Sequence, residues 1–333
     1  MVSIYKHING QFSLLDDFES GSWINLIAPT KEELNLVSQK TGADMDLLQA
    51  ALDEEERSRI EYEDEINQTI IVVDIPRVEK EGTDTYVYTT LPLGIIFVGD
   101  YIITVCLIRS SLLEDFIKGK VKKFYTYKRT LFVLLLLYRN STRYLRYLRL
   151  IDKASERLNE EMQRSYRNKE LFQMMALEKS LVYFTTSLKG NEVVLEKLVK
   201  VNYIKKYHDD EELLEDVIIE NKQAIEMCSI YRDILSGMMD AYASIISNNL
   251  SIVMKFLAAV TIVISLPTLV TSAWGMNVNV PWGSNPIGFA IVMSIALAIT
   301  VSAVIWLWRK KMFWSTFYRG GKKGYTICRC ILL

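Results

Sequence analysis

Hydrophobic and polar positions divide the chain into a long mixed region followed by two apolar segments. The segments Phe256–Trp274 and Ile287–Trp308 contain no charged residue. A helix needs about 20 apolar residues to cross a bilayer, so each segment is long enough to do so. The residues between them, Gly275–Pro286, are then a short loop on the far side of the membrane. The pattern predicts a membrane hairpin that follows a mostly soluble region.

Residues 1–110 show the alternation and short apolar runs of a mixed α/β domain. The β-branched run Thr69–Ile75 has the length of a strand. Amphipathic helices are predicted over Thr30–Lys40 and Met45–Leu52, and Thr30 with Glu33 forms a capping box at the start of the first. Further strands are predicted at Tyr86–Tyr88, Gly94–Val98 and Tyr101–Leu107, with a turn at Gly99-Asp100 between the last two.

Residues 111–208 are predicted to be helical throughout. The most apolar stretch, Leu131–Leu137, has only seven residues. It is too short to be a third span, so we expect a buried part of a soluble helix.

A long helix is predicted over residues 209–274. The acidic run Asp209–Glu212 favours a helix start, because acidic side chains stabilise the positive end of the helix dipole. Two series of mostly apolar residues then recur every seven positions, which is typical of a packed long helix: Ile218, Ile225, Met239, Ile246 and Val253, interrupted by Arg232, and Leu214, Cys228, Leu235 and Tyr242, interrupted by Asn221 and Asn249. A continuous helix from here into the first span would be roughly 100 Å long at 1.5 Å per residue.

One face of the first span carries hydroxyl groups. They recur at intervals of four, three and four residues, and the same face continues towards the soluble region; its members are Thr261, Ser265, Thr268 and Ser272, with Ala258, Met254 and Ser251. The stripe suits a helix that lines water around a symmetry axis. Hydrogen bonds to the helix backbone, or to neighbouring helices, are the alternative explanation. The hydroxyl residues of the second span, Ser294, Thr300 and Ser302, form no single stripe, which favours the first span as pore-lining and the second as lipid-facing.

The formal net charge of −1 gives no indication of nucleic-acid binding. The charged residues are nevertheless distributed unevenly along the chain. The loop between the spans has no Lys or Arg. Basic residues instead lie before the first span and after the second: Lys255, Arg309, Lys310, Lys311, Arg319, Lys322 and Lys323. The positive-inside rule therefore predicts a multi-pass protein of the cell membrane with both termini in the cytoplasm. Residues Met1–Glu19 lack the apolar segment of a signal peptide.

Enzymatic chemistry finds little support in the sequence. The only two histidines, His7 and His208, lie in no metal-ligand or triad pattern, and no Gly-rich phosphate loop is present. We therefore expect neither catalytic residues nor an organic cofactor. The four cysteines suit a reducing compartment, and Cys328 with Cys330 is a weak metal-binding motif in a tail that we expect to be interfacial or disordered.

The tripeptide Gly275-Met276-Asn277, at the end of the first of two final spans, resembles the signature of the CorA family of divalent-cation channels. The similarity extends along most of the chain. It includes Trp23–Leu26 with Pro29–Leu34, Ala51–Asp53 with Arg57–Ile60, Pro92–Phe97 with Ile102–Val105, Arg232–Gly237, Val253–Lys255 and Pro267-Thr268.

This resemblance implies a fold, an assembly and an activity. The fold class is an α+β membrane protein, with an N-terminal cytosolic α/β/α domain and a long stalk helix that continues into the first of two transmembrane helices. The subunits would form a homo-oligomer, a pentamer in the family, that takes up Mg²⁺ driven by the membrane potential. Gly275, Met276 and Asn277 would form the selectivity filter, with a ring of Asn277 amides that binds the ion through its water shell.

Gating by cytosolic Mg²⁺ bound between subunits is also implied by the resemblance. Asp216 matches a regulatory acid of the family's stalk, and Glu212 and Glu220 lie one helical turn to either side of it. Asp84 is our choice for the acid that a neighbouring N-terminal domain would contribute. An ordinary solvated acidic face is the alternative.

The chain departs from the family pattern at the filter. Trp274 precedes the tripeptide where Tyr is common, and the loop Val278–Pro286 contains no Asp or Glu. Alternative functions are a ZntB-like zinc transporter, a Co²⁺ or Ni²⁺ transporter and a non-conducting membrane-tethered scaffold. Met276 favours CorA over ZntB, whose middle residue usually differs.

Overall fold

The computed structural model describes residues 1–8, 10–81, 85–164, 168–201, 208–277 and 287–310. The strands are β1 (Val2–Ile8), β2 (Gln11–Leu15), β3 (Trp23–Ile27), β4 (Arg59–Glu63), β5 (Gln68–Glu81), β6 (Thr85–Val98) and β7 (Tyr101–Cys106). The helices are α1 (Lys31–Thr41), α2 (Met45–Ala50), α3 (Ser111–Ile117), α4 (Arg129–Arg164), α5 (Asn168–Lys200), α6 (His208–Trp274) and α7 (Gly288–Arg309). The chain divides into two compact units, Met1–Met239 and Asp240–Leu333.

The first unit has three layers around one mixed sheet. The strands lie in the order β2-β1-β3-β7-β6-β5-β4. Among these described strands β3 and β7 are parallel, and the other neighbours are antiparallel. One face packs against α1 and α2, and the other packs against α3, α4, α5 and the start of α6. This confirms the predicted α/β/α arrangement.

Most local signals for helices were read correctly, but the prediction of helix throughout residues 111–208 was wrong for 118–128, which connect α3 to α4 through turns. Thr30 caps α1, and its side chain and that of Glu33 exchange hydrogen bonds with each other's backbone N–H groups, which confirms the capping box. The stretch Leu131–Leu137 lies inside α4 with most of its side chains buried in the core, so it is a soluble helix as predicted. The long helix begins at His208, at the predicted acidic run, and ends at Trp274.

The separate strands predicted at Tyr86–Tyr88 and Gly94–Val98 were wrong, because β6 is one strand of 14 residues. Pro92 lies opposite Asp74 within the paired strands. Gly94 is needed because a Cβ atom there would lie 2.7 Å from the Cβ of Ala51, where the end of α2 approaches the sheet.

Helix α5 is joined to the sheet where β5 loses a neighbouring strand. The ladder between β4 and β5 ends at the pair Arg59 and Val72. Two residues further on, Asn191 of α5 replaces the missing strand. Its Oδ1 accepts from the Asp74 N–H at 2.9 Å, and its Nδ2 donates to the Asp74 carbonyl at 2.9 Å.

The same carbonyl receives two further donors, both from α4. Asn140 donates its Nδ2 at 2.8 Å, and the Tyr144 hydroxyl donates at 3.2 Å. Burial raises the pKa of Tyr144 well above its ordinary value, so the hydroxyl keeps the proton that it donates. Burial also raises the pKa of the Asp74 carboxyl. Helices α4 and α5 are thus both attached to one backbone position of β5.

The first part of α6 packs on α5 through one of the two predicted heptad series. Leu214, Asn221, Cys228 and Leu235 are buried, whereas Ile218, Ile225 and Met239 are only partly so. Asn221, which interrupts the apolar series, donates Nδ2 to the Leu188 carbonyl at 3.1 Å. Cys228 contacts the Leu181 carbonyl at 3.1 Å. A polar residue is tolerated here because its hydrogen bond is satisfied by the helix it packs against.

The second unit contains the remainder of α6 and the helix α7. Both are long and apolar enough to cross a membrane. Only 6% and 17% of their most apolar stretches are buried in the chain, whereas the core helix of a soluble protein is mostly buried.

Replacing Asn191 with leucine is expected to destabilise the first unit. Leucine keeps much of the volume but leaves the buried N–H and C=O of Asp74 with fewer partners, at a cost of about 2–4 kcal/mol. The detergent-solubilised protein should melt at a temperature about 5–10 °C lower, measured by circular dichroism. Asn35→Leu, on the exposed face of α1, is the matched control and should change the melting temperature little. Equal melting of both variants would contradict the anchoring role of Asn191.

Candidate functional site

The predicted pore-lining stripe is entirely exposed in the single chain. Its members are Ser251, Met254, Ala258, Thr261, Ser265, Thr268 and Ser272. In contrast, Ala259, next to this stripe, is completely buried. The stripe therefore remains available for contact with water or with another molecule.

The hydroxyl groups of the stripe donate to their own helix. Thr261 donates to the Leu257 carbonyl at 2.8 Å, and Ser265 donates to the Thr261 carbonyl at 2.7 Å. Thr268 donates to the Ile264 carbonyl at 3.0 Å. Because each hydroxyl oxygen also has two lone pairs, committing the proton to the backbone leaves an oxygen that acts as an acceptor. The exposed stripe is thus a row of uncharged acceptors.

Hydrogen bonding alone does not distinguish the two spans. Ser294, Thr300 and Ser302 of α7 also donate to carbonyls one turn earlier, at 2.7–2.8 Å. The difference is one of arrangement, since only the α6 hydroxyls follow one face over several turns. On α7 the buried residues are Gly288, Val292, Ala296 and Leu307.

Gly275 lies at the end of α6, where its N–H donates to the Thr271 carbonyl at 2.9 Å. A Cβ atom on Gly275 would lie 3.3 Å from that carbonyl oxygen. Gly275 is not among the glycines with positive φ. Glycine therefore serves here by allowing a close approach to the last helical turn rather than by adopting a left-handed conformation.

Met276 and Asn277 follow Gly275 and are both exposed. Met276, with 59% of its surface exposed, lines a shallow groove together with Ser265, Thr268 and Ser272. The tripeptide is thus continuous with the polar stripe. The loop Val278–Pro286, in which the lack of acids was noted, lies outside the described residues.

The proposed regulatory acids lie on one face near the start of α6. Glu212 and Asp216 are exposed, and Glu220 is partly so. A rise of 1.5 Å per residue separates the outer two by about 12 Å, so all three cannot hold one ion within a chain. No group of three His, Cys, Asp or Glu that could hold a metal ion occurs among the described residues. Asp84, Cys328 and Cys330 lie outside those residues.

His7 has a packing role. Its Nδ1 accepts from the Thr126 N–H at 3.2 Å, and its ring contacts Phe12 and Phe124. Burial lowers the pKa of His7 and so favours the neutral ring that can accept this bond.

Two polar features escaped the sequence reading. One is the buried group around Asp74, and the other is Glu170, a buried acid in the first turn of α5. Neither has a sequence signal, because the partners of Asp74 lie far along the chain and a lone Glu in a helix is ordinary.

A sequence model of the family described as "CorA-like Mg2+ transporter protein" matches residues 18–311. The cobalt/magnesium transport protein CorA of Methanocaldococcus jannaschii is 30% identical over 299 residues, covering 86% of this chain and 90% of the relative. A second protein of that name, from Thermotoga maritima, is 30% identical over 146 residues, covering 40% of this chain and 42% of the relative.

The similarity to CorA proteins is also found among solved structures. The complete CorA magnesium transporter from Methanocaldococcus jannaschii superposes with a TM-score of 0.80 at 28% identity, covering 93% of this chain and 98% of that one. The cytoplasmic domain of ZntB from Vibrio parahaemolyticus has a TM-score of 0.57 at 10% identity, covering 75% and 97%. The ZntB similarity concerns the fold alone.

Cysteine labelling would test whether the stripe faces water. In a background with Cys328→Ser and Cys330→Ser, a cysteine at Ser265 should react severalfold faster with a charged thiol reagent than one at Ala298, an exposed position on α7. Thiolate formation requires water, which a lipid-facing position lacks. The native Cys106 and Cys228 should stay unreactive, since burial raises the pKa of both. Equal rates at the two positions would contradict a water-lined stripe.

Proposed function

This chain belongs to the CorA family of divalent-cation transporters, and we propose that it conducts Mg²⁺ into the cell through a pore lined by α6. The observation that supports this best is the exposed stripe of hydroxyl oxygens on α6, which ends at Gly275-Met276-Asn277. A face of hydroxyl oxygens over several turns suits a water-filled path, because each oxygen can still accept a hydrogen bond from water. The two apolar helices fit a membrane location.

A pore of this kind requires several copies of the chain. One helix presents its stripe on one side only, so a closed path needs copies arranged around an axis parallel to α6. We propose a homo-oligomer with cyclic symmetry, and a pentamer by analogy with the family. In such an assembly each stripe residue would form one ring around the pore, with one copy from every subunit. Asn277 would form the ring at the outer mouth.

The chemistry of the stripe suits a hydrated ion. Mg²⁺ holds its water shell tightly and prefers six oxygen ligands. The water molecules of that shell direct their hydrogens outward, where they need acceptors. The hydroxyl oxygens of Thr261, Ser265 and Thr268 are acceptors because their protons are donated to the backbone. A ring of Asn277 amide oxygens would provide the same kind of contact at the outer mouth.

The membrane potential is sufficient to drive uptake. It contributes about 2.3 kcal/mol per charge per 100 mV, and so about 4.6 kcal/mol for a divalent ion. Because neutral oxygens bind the ion weakly through its shell, the ion can also leave the filter. We place both termini in the cytoplasm, since Arg309 ends α7, Lys310 follows it, and the loop between the spans has no basic residue.

Gating would be controlled by Mg²⁺ in the cytosol. The acidic face with Glu212, Asp216 and Glu220 cannot complete an ion site within one chain, so a neighbouring subunit would supply the remaining ligand, with Asp84 as our candidate. A bound divalent ion would relieve the repulsion between carboxylates and hold the subunits together. Its loss would release them.

Cobalt is a second candidate cargo, because both named relatives are cobalt/magnesium transport proteins. A filter that contacts the water shell discriminates weakly between divalent ions of similar hydration. A zinc transporter like ZntB has less support, since the likeness there is limited to fold.

Asn277→Ala should abolish Mg²⁺ influx into proteoliposomes with an imposed inside-negative potential, because the amide ring would be lost. Ser294→Ala, which removes a hydroxyl from α7, is the control and should conduct normally. Unchanged influx in Asn277→Ala would refute the filter assignment. Absence of influx from correctly folded wild-type protein would favour a non-conducting scaffold or a different ion.

Asp216→Ala should weaken the protection that Mg²⁺ gives the cytosolic region against protease, with severalfold more Mg²⁺ needed for the same survival. Limited proteolysis of the full-length protein over a Mg²⁺ series measures this. Glu226→Ala, which neutralises an exposed acid about 15 Å further along α6 than Asp216, should leave the series unchanged. An unaltered series for Asp216→Ala would exclude this residue from the regulatory site.

A further inference from the structure

A cleft in the first unit is not used by the proposed transport function. It has a volume of about 420 Å³ and lies between β6 and the helices α4 and α5. This size is within the range of small-molecule sites, about 300–1,000 Å³. Each helix contributes one face, since its lining residues recur at helical spacing. The polar members of these two faces are Arg157, Glu161, Lys169, Glu170 and Gln173.

The most informative residue of the cleft is Glu170, a buried acid with one oxygen unpaired among the described residues. It lines the cleft, yet only 8% of its surface is exposed. Its Oε2 atom is fully buried and has no hydrogen-bond partner in the described part of the chain. A buried carboxylate oxygen without a donor is unfavourable, and such atoms in native proteins usually have an additional partner. Glu170 is a lining residue of the cleft, so a molecule bound there would lie next to its side chain.

Two tyrosines form the sheet side of the cleft. Tyr86 and Tyr88 are two residues apart on β6, so their side chains leave the same face of the strand. Tyr88 is held in place by ring contacts with Tyr147 and Phe184. Tyr86 remains 54% exposed and presents an aromatic surface to the cleft. The apolar walls of the helices are Ala154, Leu158 and Leu177.

We propose that this cleft binds a small organic molecule that carries a protonated primary amine on an apolar body. The Glu170 side chain would turn so that its carboxylate accepts from the ammonium group, and the body would lie between the tyrosine rings and Leu158 and Leu177. Aromatic faces attract cations in addition to their apolar contact. The site is distinct from the ion path on α6.

The charges at the rim do not oppose this assignment. Arg157 and Lys169 are exposed, so water screens their repulsion, whereas Glu170 is buried and its attraction is screened much less. The exposed Glu161 lies one turn from Arg157 and offsets part of the positive charge. A metal ion fits less well. One buried carboxylate beside aromatic rings is a poor oxygen shell for Mg²⁺, which prefers six oxygen ligands.

Isothermal titration of the full-length protein in detergent tests the proposal, with 2-phenylethylamine as the probe and 2-phenylethanol as its uncharged analogue. We expect saturable binding of the amine at one site per chain and much weaker binding of the alcohol. Glu170→Gln should weaken amine binding at least about tenfold, the value of one charge-assisted hydrogen bond. Glu161→Gln, at the rim, should have little effect.

Three results would overturn the proposal. They are no saturable amine binding, equal affinity for the alcohol, and displacement of the amine by Mg²⁺ in direct competition, which would indicate a metal site. The comparison of amine and alcohol uses the wild-type protein, so it remains decisive if Glu170→Gln fails to fold. The titration involves no membrane potential or ion flux, and its failure would leave the transport proposal untouched.

Discussion

The paired hydrogen bonds between Asn191 and the backbone of Asp74 are the constraint on which the architecture of the first unit depends. The sheet alone leaves β5 with an unpaired edge beyond Val72. Asn191 closes that edge and fixes α5, and Asn221 and Cys228 then fix the first part of α6 on α5. Two buried side-chain amides thus place α5 on the sheet and the first part of α6 on α5. Hydrogen bonds with strict geometry set the positions of these helices, while burial of apolar surface supplies most of the stability of the first unit.

The polar stripe and the lack of charge in both spans reflect two opposing requirements, attraction of a cation and a low cost of insertion into the membrane. Carboxylates would attract a divalent ion strongly, but they are costly in a membrane and would retain the ion. Hydroxyls at Thr261, Ser265 and Thr268 avoid that cost, since each is satisfied by a carbonyl of its own helix before any ion arrives. In the proposed pore, such a path would select by the size and hydration of the ion rather than by tight coordination. Divalent ions of similar hydration would therefore be treated alike.

Local signals in the sequence were sufficient for the helices and spans. The Thr30 cap, the acidic start of α6 and the uncharged segments act through neighbouring residues, and these predictions are confirmed. Errors arose where a distant contact decided the structure. The strand β6 was predicted as two separate strands, the second beginning at Gly94, whereas the role of Gly94 is set by its contact with Ala51 at the end of α2. The partners of Asp74 and the cleft beside Glu170 depend on chain segments that only the fold brings together.

The separation between Asp74 and Asn191 also affects synthesis of the chain. The two residues are 117 positions apart. At 5–20 residues per second the ribosome needs roughly 10 s to make that stretch. During this interval β5 can already be paired with its neighbours while its outer edge still lacks α5. Open strand edges readily associate with other chains. The nascent protein therefore exposes this strand edge before its first membrane span has been made. A chaperone bound at that stage would protect the edge from association with other chains.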